Sequence, residues 1–181
     1  MRQTKKLTLS AMIVALGTVF MVLGAVIEMF DLTAAALSAV LVAFVYIELG
    51  SPYTWLVWLC TTLTTFLFYQ HSPMWFFYFV LFGVFPILKG YIERLPRIFW
   101  WPIKLVYGNI SFVLMLVGVK LLTGLPFIDP EETFFGVKGV ALYIVTWILL
   151  NVALIAFDFF LTVMVRYYIV KLRPKFKKIL K

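Results

Sequence analysis

Six long apolar runs, separated by short polar connections, occupy nearly the whole chain. They cover residues 7–27, 32–49, 53–69, 74–89, 98–122 and 139–166. Apolar positions are continuous within each run, whereas the strands of a membrane barrel alternate apolar and polar positions. About 20 apolar residues suffice for a helix to cross the hydrocarbon layer, and lipid admits only helices and closed barrels. The pattern therefore predicts an all-α protein whose six transmembrane helices form one bundle.

Turns between the runs contain residues that interrupt helices, mainly glycine, proline and serine. Residues 28–31 form an acidic turn after the first run, and Thr33 is the predicted N-cap of the second helix. Residues 70–73 join the third and fourth runs, and residues 123–138 form the longest loop.

Composition also favours a membrane protein. Hydrophobic residues make up 64% of the chain and charged residues 13%, whereas soluble domains contain roughly 45–50% and about 25%. The six runs leave no room for a separate soluble domain. We therefore expect residues 1–181 to form one transmembrane domain that ends in a basic tail at 167–181.

Positive charge lies on one side of the predicted bundle. Of the 16 Lys and Arg residues, only Lys120 and Lys138 fall on the other side. Short loops rich in Lys and Arg stay in the cytoplasm, so both termini are predicted to be cytoplasmic, with the protein in the cell membrane. The net charge of +8 follows from this asymmetry rather than from nucleic-acid binding. The tail is expected to attract anionic lipids by about 1 kcal/mol per residue.

The chain lacks the residue sets that catalysis or metal binding requires. It contains one histidine, His71, and one cysteine, Cys60, and it has no phosphate-binding glycine loop and no pair of metal ligands at helical spacing. We predict no enzyme activity, no cofactor and no metal site. Cys60 lies in an apolar run, where a buried packing role is expected.

Polar side chains within apolar runs need a partner or a function, because they are costly in lipid. Asn109 and Asn151 both lie near the predicted midplane, where they form either an interhelical hydrogen bond or the floor of a polar cavity. Asp158 and Lys104 lie at similar depth and are predicted to form an ion pair. The alternative is a proton relay, for which the sequence pattern places no second carboxylate nearby. Glu48 has no obvious partner in the sequence.

Polar and aromatic residues meet at the predicted outer face. The candidate ligand-binding residues are Glu28, Asp31, Gln70, His71, Trp75, Asn109, Lys120 and Asn151. Polar groups above an aromatic wall suit a small flat ligand. The alternative is an ordinary solvated rim over an interfacial aromatic belt. The sequence leaves both interpretations open.

Two strips of small residues indicate close helix contacts. Ala11 and Ala15 lie four positions apart on one face of the first helix, near its basic end. Ala35, Ala39 and Ala43 form a second strip on the second helix. Each strip suits either packing within the bundle or contact with a helix of another protein.

The whole architecture resembles one transporter family. Six spans in 181 residues, cytoplasmic termini and the AxxxA motif of Ala11 and Ala15 are similar to the substrate-binding S components of energy-coupling factor (ECF) vitamin transporters. Residues 5–11 also resemble the start of such proteins. The resemblance implies a bacterial membrane subunit that captures a small vitamin-like micronutrient at the outer face. It further implies docking through Ala11 and Ala15 onto a transmembrane T component that is coupled to ATPase subunits.

One connection departs from the family. The turn between the first two spans is short, whereas the family often has a lid there, so the loop at 123–138 is the lid candidate. No signature for a particular vitamin is present.

A structural scaffold is the alternative interpretation. It would resemble the small six-span shape-determining protein of the bacterial cell-elongation machinery, with helix faces as protein interfaces and no small-molecule ligand. A polar-lined pocket at the outer face would favour the ligand binder. A filled core with outward small-residue strips would favour the scaffold.

Overall fold

A computed structural model describes residues 3–124 and 140–174 of the chain. Every element in these ranges is helical, and five of the helical segments are long and apolar enough to cross a membrane. The predicted all-α class is therefore confirmed. The architecture is a bundle of five to six long apolar helices, compatible with a multi-pass membrane protein.

Each predicted span corresponds to one helix. In chain order the helices are α1 (Gln3–Val26), α2 (Asp31–Leu49), α3 (Ser51–Phe68), α4 (Met74–Ile92), α5 (Trp100–Thr123) and α6 (Val140–Tyr167). Short 3₁₀ turns at Glu28–Phe30 and Arg97–Phe99 precede α2 and α5, and a π-helical turn at Tyr168–Leu172 extends α6. The predicted tail at 167–181 thus begins as helix, and its residues beyond 174 lie outside the described ranges.

Side-chain contacts show how the helices run relative to one another. Lys104 of α5 contacts Asp158 of α6, and Asn109 contacts Asn151, so the two helices are antiparallel. The contacts between α1 and α2 show that these two helices are antiparallel as well. The starts of α1, α3 and α5 therefore share one end of the bundle with the ends of α2, α4 and α6. We call this the basic end, because its described cations include Lys5, Lys6, Arg94, Arg97, Arg166, Lys171 and Arg173.

Two helix ends differ from the predicted ones. α2 begins at Asp31, so Thr33 is not its N-cap; the Thr33 hydroxyl instead donates to the Phe30 carbonyl oxygen at 2.7 Å. α4 continues to Ile92 instead of stopping at Lys89, because the Lys89 ammonium is paired with carboxylates inside the bundle.

The threonine-rich face of α3 is buried. α3 is the one helix of the six that falls outside the candidate membrane spans, but Thr61 and Thr65 point into the bundle. The hydroxyls of Thr64 and Thr18 on α1 lie 2.6 Å apart. Cys60 is exposed, so its expected burial is wrong: the threonine face, not the cysteine face, turns inward.

α4 widens into a π-helical turn at Tyr78–Phe82. Pro86 follows and has no N–H to donate to the carbonyl four residues earlier, while its ring crowds that carbonyl. Neighbouring helices donate hydrogen bonds to two other carbonyls of the turn. Trp58 Nε1 of α3 donates to the Phe79 carbonyl at 3.2 Å, and the Tyr107 hydroxyl of α5 donates to the Val80 carbonyl. α4 is thereby fixed between α3 and α5.

One core cluster lies between α2, α4, α5 and α6, and two others join α2 to α1, α3 and α4. The outside of the bundle is apolar. Core residues of the first cluster are Ala39, Leu81, Phe85, Phe112, Met115, Leu154 and Leu161. On the outside, Leu121 is 80% exposed and Phe159 is 70% exposed. Large exposed apolar areas are rare on soluble monomers, and they are expected where lipid surrounds a protein.

Candidate functional site

A pocket of about 420 Å³ lies at the end of the bundle opposite the basic end. Its lining comes from the end of α3, the following turn, the start of α4 and the end of α5: Phe66, Gln70, His71, Pro73, Trp75, Leu122 and Thr123. Gln70, His71 and Trp75, three of the predicted ligand-binding residues, thus lie together here. We call this space the Trp75 pocket.

Local hydrogen bonds shape the turn that places these side chains. α3 ends where the Tyr69 N–H donates to the Thr65 carbonyl at 2.8 Å. α4 starts after a proline, where the Ser72 hydroxyl oxygen accepts a hydrogen bond from the Met74 N–H at 3.2 Å. Two of the polar side chains that line the pocket, Gln70 and His71, lie on the exposed turn between these bonds, and the third, Thr123, lies at the end of α5.

The wall of the Trp75 pocket is aromatic. The rings of Phe66 and Trp75 meet edge to face with centroids 4.8 Å apart. The Gln70 amide provides two donors and an acceptor, and a neutral His71 imidazole provides one of each. Such a pocket can hold a small, partly flat molecule with hydrogen-bonding groups at its edge.

The other predicted rim residues lie elsewhere. Asp31 lines a separate cavity of about 810 Å³ between α2, α4, α5 and α6. Lys120 is exposed on the last turn of α5 and lines neither space. The side chain of Glu28 lies outside the described residues, as does most of the candidate lid at 123–138.

Asn109 and Asn151 bind each other across α5 and α6. Each amide donates to the side-chain oxygen of the other, at 3.1 and 3.3 Å. Each also donates to a carbonyl one turn earlier in its own helix, Leu105 at 2.8 Å and Trp147 at 2.9 Å. All four amide N–H groups are therefore used, two between the helices and two within their own helices. The arrangement is an interhelical hydrogen bond, the first of the two predicted interpretations.

Four charged groups form an ionic cluster near the basic end. Asp158 Oδ1 of α6 lies 2.5 Å from Lys89 Nζ of α4 and 2.7 Å from Lys104 Nζ of α5. Glu93 Oε1 lies 2.8 Å from Lys89 Nζ and 3.3 Å from Lys104 Nζ. The side chains of Lys89, Lys104 and Asp158 are 7%, 5% and 10% exposed, whereas Glu93 is 35% exposed. The cluster joins α4, α5 and α6 with balanced charge.

The ionic cluster confirms one prediction and corrects another. Lys104 and Asp158 form the predicted ion pair. The expectation that no second carboxylate lies nearby is wrong, because α4 continues beyond Lys89 and brings Glu93 one turn later into the cluster. The four-residue spacing of Lys89 and Glu93 is the signal in the sequence that points to this pair.

Glu48 is also paired, with groups at the far end of the chain. Its carboxylate accepts hydrogen bonds from Arg173 Nε at 2.9 Å and from the Tyr168 hydroxyl at 3.0 Å. These partners lie on the π-helical extension of α6 and just after it. No local spacing in the sequence indicates them.

The two alanine strips have different surroundings. Ala35, Ala39 and Ala43 of α2 are buried in the bundle, so this strip is internal packing. Ala11 and Ala15 of α1 are exposed. No described helix covers the strip on α1, which leaves its small side chains available to lipid or to another protein.

No family model matches the chain, and neither a curated protein nor a solved structure does. The pocket, the exposed strip and the charge distribution are therefore the basis for the functional proposal.

Proposed function

We propose that the protein is the substrate-binding subunit of an ECF-type transporter, with six membrane-spanning helices and both termini in the cytoplasm. It captures a small vitamin-like micronutrient at the outer face of the cell membrane and docks to a T component with its ATPase subunits. The Trp75 pocket is the observation that carries the proposal, because it joins an aromatic wall to two hydrogen-bonding side chains, Gln70 and His71.

The charge distribution supports this orientation. Among the described residues, Lys120 is the one cation near the pocket end, whereas the others gather toward the basic end. Short basic loops stay in the cytoplasm, so the pocket faces outward. α3 supplies the sixth crossing: its threonine face is buried, and lipid meets the exposed Leu56, Leu63 and Leu67.

The exposed strip on α1 supports docking. Small side chains at Ala11 and Ala15 let a helix of another protein approach closely, and close packing is what drives association between helices in lipid. Ala11 lies in the half of α1 nearer the basic end, and Ala15 lies at the middle of the helix. A cytoplasm-proximal site suits a partner that is linked to ATPases.

The same strip also fits the alternative, a scaffold of the cell-shape machinery. An outward small-residue face is what a scaffold needs, but a scaffold has no use for a pocket at Trp75. Recovery of a bound small molecule therefore separates the two functions.

The test is purification of the protein from its native membrane in mild detergent. We expect mass spectrometry to find one small organic molecule bound, together with a T component and ATPases. His71→Ala and Trp75→Ala are expected to lower the bound molecule at least tenfold and to keep the partners. Ala11→Trp is expected to do the reverse, because an indole on that face blocks helix approach far from the pocket.

Leu23→Trp is the matched control for Ala11→Trp. Leu23 is also exposed on α1, at 54%, but it lies near the other end of the helix, so this variant should keep both ligand and partners. Recovery of cell-wall machinery without a small molecule would contradict the transporter function and favour the scaffold. Equal loss of ligand and partners in Ala11→Trp would show that the strip supports the fold instead of docking.

A further inference from the structure

The larger of the two described cavities is apolar and separate from the Trp75 pocket. Its volume of about 810 Å³ lies within the range of roughly 300–1,000 Å³ that is typical of small-molecule sites. Only two of its lining residues are polar, Asp31 and Thr33, and they lie together in the first turn of α2. We call this space the α2–α6 cavity.

Small side chains leave the α2–α6 cavity unfilled. Ala36 of α2 and Ala153 and Ala156 of α6 all line it, at positions where larger side chains would occupy the space. Phe82 of the π-helical turn and Phe157 of α6 contribute an aromatic wall, with ring centroids 5.1 Å apart.

The cavity is open at the side of the bundle. Leu32 and Leu37 of α2 line it, yet they are 61% and 44% exposed. In a membrane this surface meets lipid chains. A molecule dissolved in the bilayer can therefore enter the cavity from the side, without passing through the Trp75 pocket.

The lining selects for an apolar occupant with a polar group at one end. A polar body placed against these walls would lose its hydrogen bonds to water, at a cost of several kcal/mol if they are not replaced. A hydrocarbon chain loses nothing of this kind. Asp31 and Thr33 both line the cavity from the first turn of α2. A carboxylate and a hydroxyl oxygen accept hydrogen bonds, so these two residues complement a cationic group that donates them.

We propose that the α2–α6 cavity binds a membrane amphiphile, with the hydrocarbon chain inside and an ammonium head group at Asp31 and Thr33. The site is additional to the Trp75 pocket and does not depend on the transporter function. A protein with a net charge of +8 attracts anions non-specifically. A preference for a cation would therefore come from this site and not from the overall charge.

The test compares three probes with the same chain: dodecylammonium, dodecanol and dodecanoate. Affinities are measured by titration with the full-length protein in a neutral maltoside detergent. We expect dodecylammonium to bind at least about fivefold more tightly than either of the others. In Asp31→Asn this preference should fall to within about twofold, while dodecanol binding stays unchanged. Equal affinity of the wild type for the three probes would overturn the proposal.

Two space-filling variants test the chain-binding part. Ala153→Trp and Ala36→Leu place larger side chains in the cavity from opposite walls, and either folded variant is expected to lower the affinity for dodecylammonium at least tenfold. His71→Ala is the control, because it changes the Trp75 pocket alone and should leave all three affinities as they are. Unchanged binding in a folded space-filling variant, or equal loss in His71→Ala, would overturn the proposal. Neither result would decide whether the Trp75 pocket captures a micronutrient.

Discussion

Replacement of Asp158 by asparagine is the most direct perturbation of the ionic cluster. The carboxylate contacts two lysine ammonium groups at 2.5 and 2.7 Å, and the lysine side chains are only 7% and 5% exposed. Asparagine has nearly the same size and still accepts hydrogen bonds. It removes one negative charge, however, and leaves two buried lysines with Glu93 as their remaining anionic partner.

The expected loss follows from burial. Removing one partner of a buried ion pair costs about 3–5 kcal/mol. A change of 1 kcal/mol shifts the Tm of a protein of this size by about 2–4 °C, so Asp158→Asn should lower the Tm by roughly 6–20 °C. Glu93→Gln is the matched control, since it removes the same charge from the same two lysines. Glu93 is 35% exposed, so its loss is expected to cost about 0–1 kcal/mol, or at most about 4 °C.

Thermal unfolding in one neutral detergent, followed by tryptophan fluorescence, measures these shifts. A third variant, Lys89→Met with Lys104→Met and Asp158→Leu, removes all three buried charges together. Apolar replacement of a buried ionic group is often neutral or stabilising, so this variant should unfold near the wild-type temperature. Equal shifts for Asp158→Asn and Glu93→Gln would refute the reasoning from burial. A triple variant as unstable as Asp158→Asn would refute the excess positive charge of the two buried lysines as the cause of the loss.

Two further predictions concern helix packing. Gly24→Ala is expected to cost about 1–3 kcal/mol through overpacking, because the added Cβ would lie 2.4 Å from the Ala34 Cβ. Adding Ala34→Gly to this variant should restore the Tm. Gly17→Ala should cost less, because the nearest atom to its added Cβ lies 3.3 Å away. An unchanged Tm in Gly24→Ala would contradict this close approach. A double-mutant cycle with Asn109→Leu and Asn151→Leu should show a coupling of about 0.6–1.7 kcal/mol by thermal unfolding, whereas additive losses would mean that the two amides do not bind each other.

The helices could be predicted from the sequence because hydrophobic runs of this length have few alternatives. Their ends were harder to predict, since a charged residue ends a helix only where it must reach water. Lys89 has carboxylate partners inside the bundle, so α4 continues past it. The threonine face of α3 is a similar case: hydroxyl groups that bind within the bundle can face inward, and this leaves Cys60 on the outside.

The candidate sites differ in how far the sequence indicates them. Gln70, His71 and Trp75 lie within six positions of one another, so their meeting in one pocket follows from a single turn. Glu48 and Arg173 are 125 positions apart in the chain, and only the packing of α2 against α6 joins them. The α2–α6 cavity is hardest to foresee, because its walls consist of residue types that fill the core elsewhere.

The balance of charge in the ionic cluster sets what this cluster would contribute to a movement of the bundle across a membrane potential. Two ammonium groups and two carboxylates give no net charge. Moving one elementary charge through 100 mV involves about 2.3 kcal/mol, whereas a neutral group moves through the same field without electrical work. A bundle that tilts in an energised membrane therefore meets no electrical resistance from this cluster. Asp158→Asn would leave one extra positive charge there, and the same movement would then depend on the membrane potential.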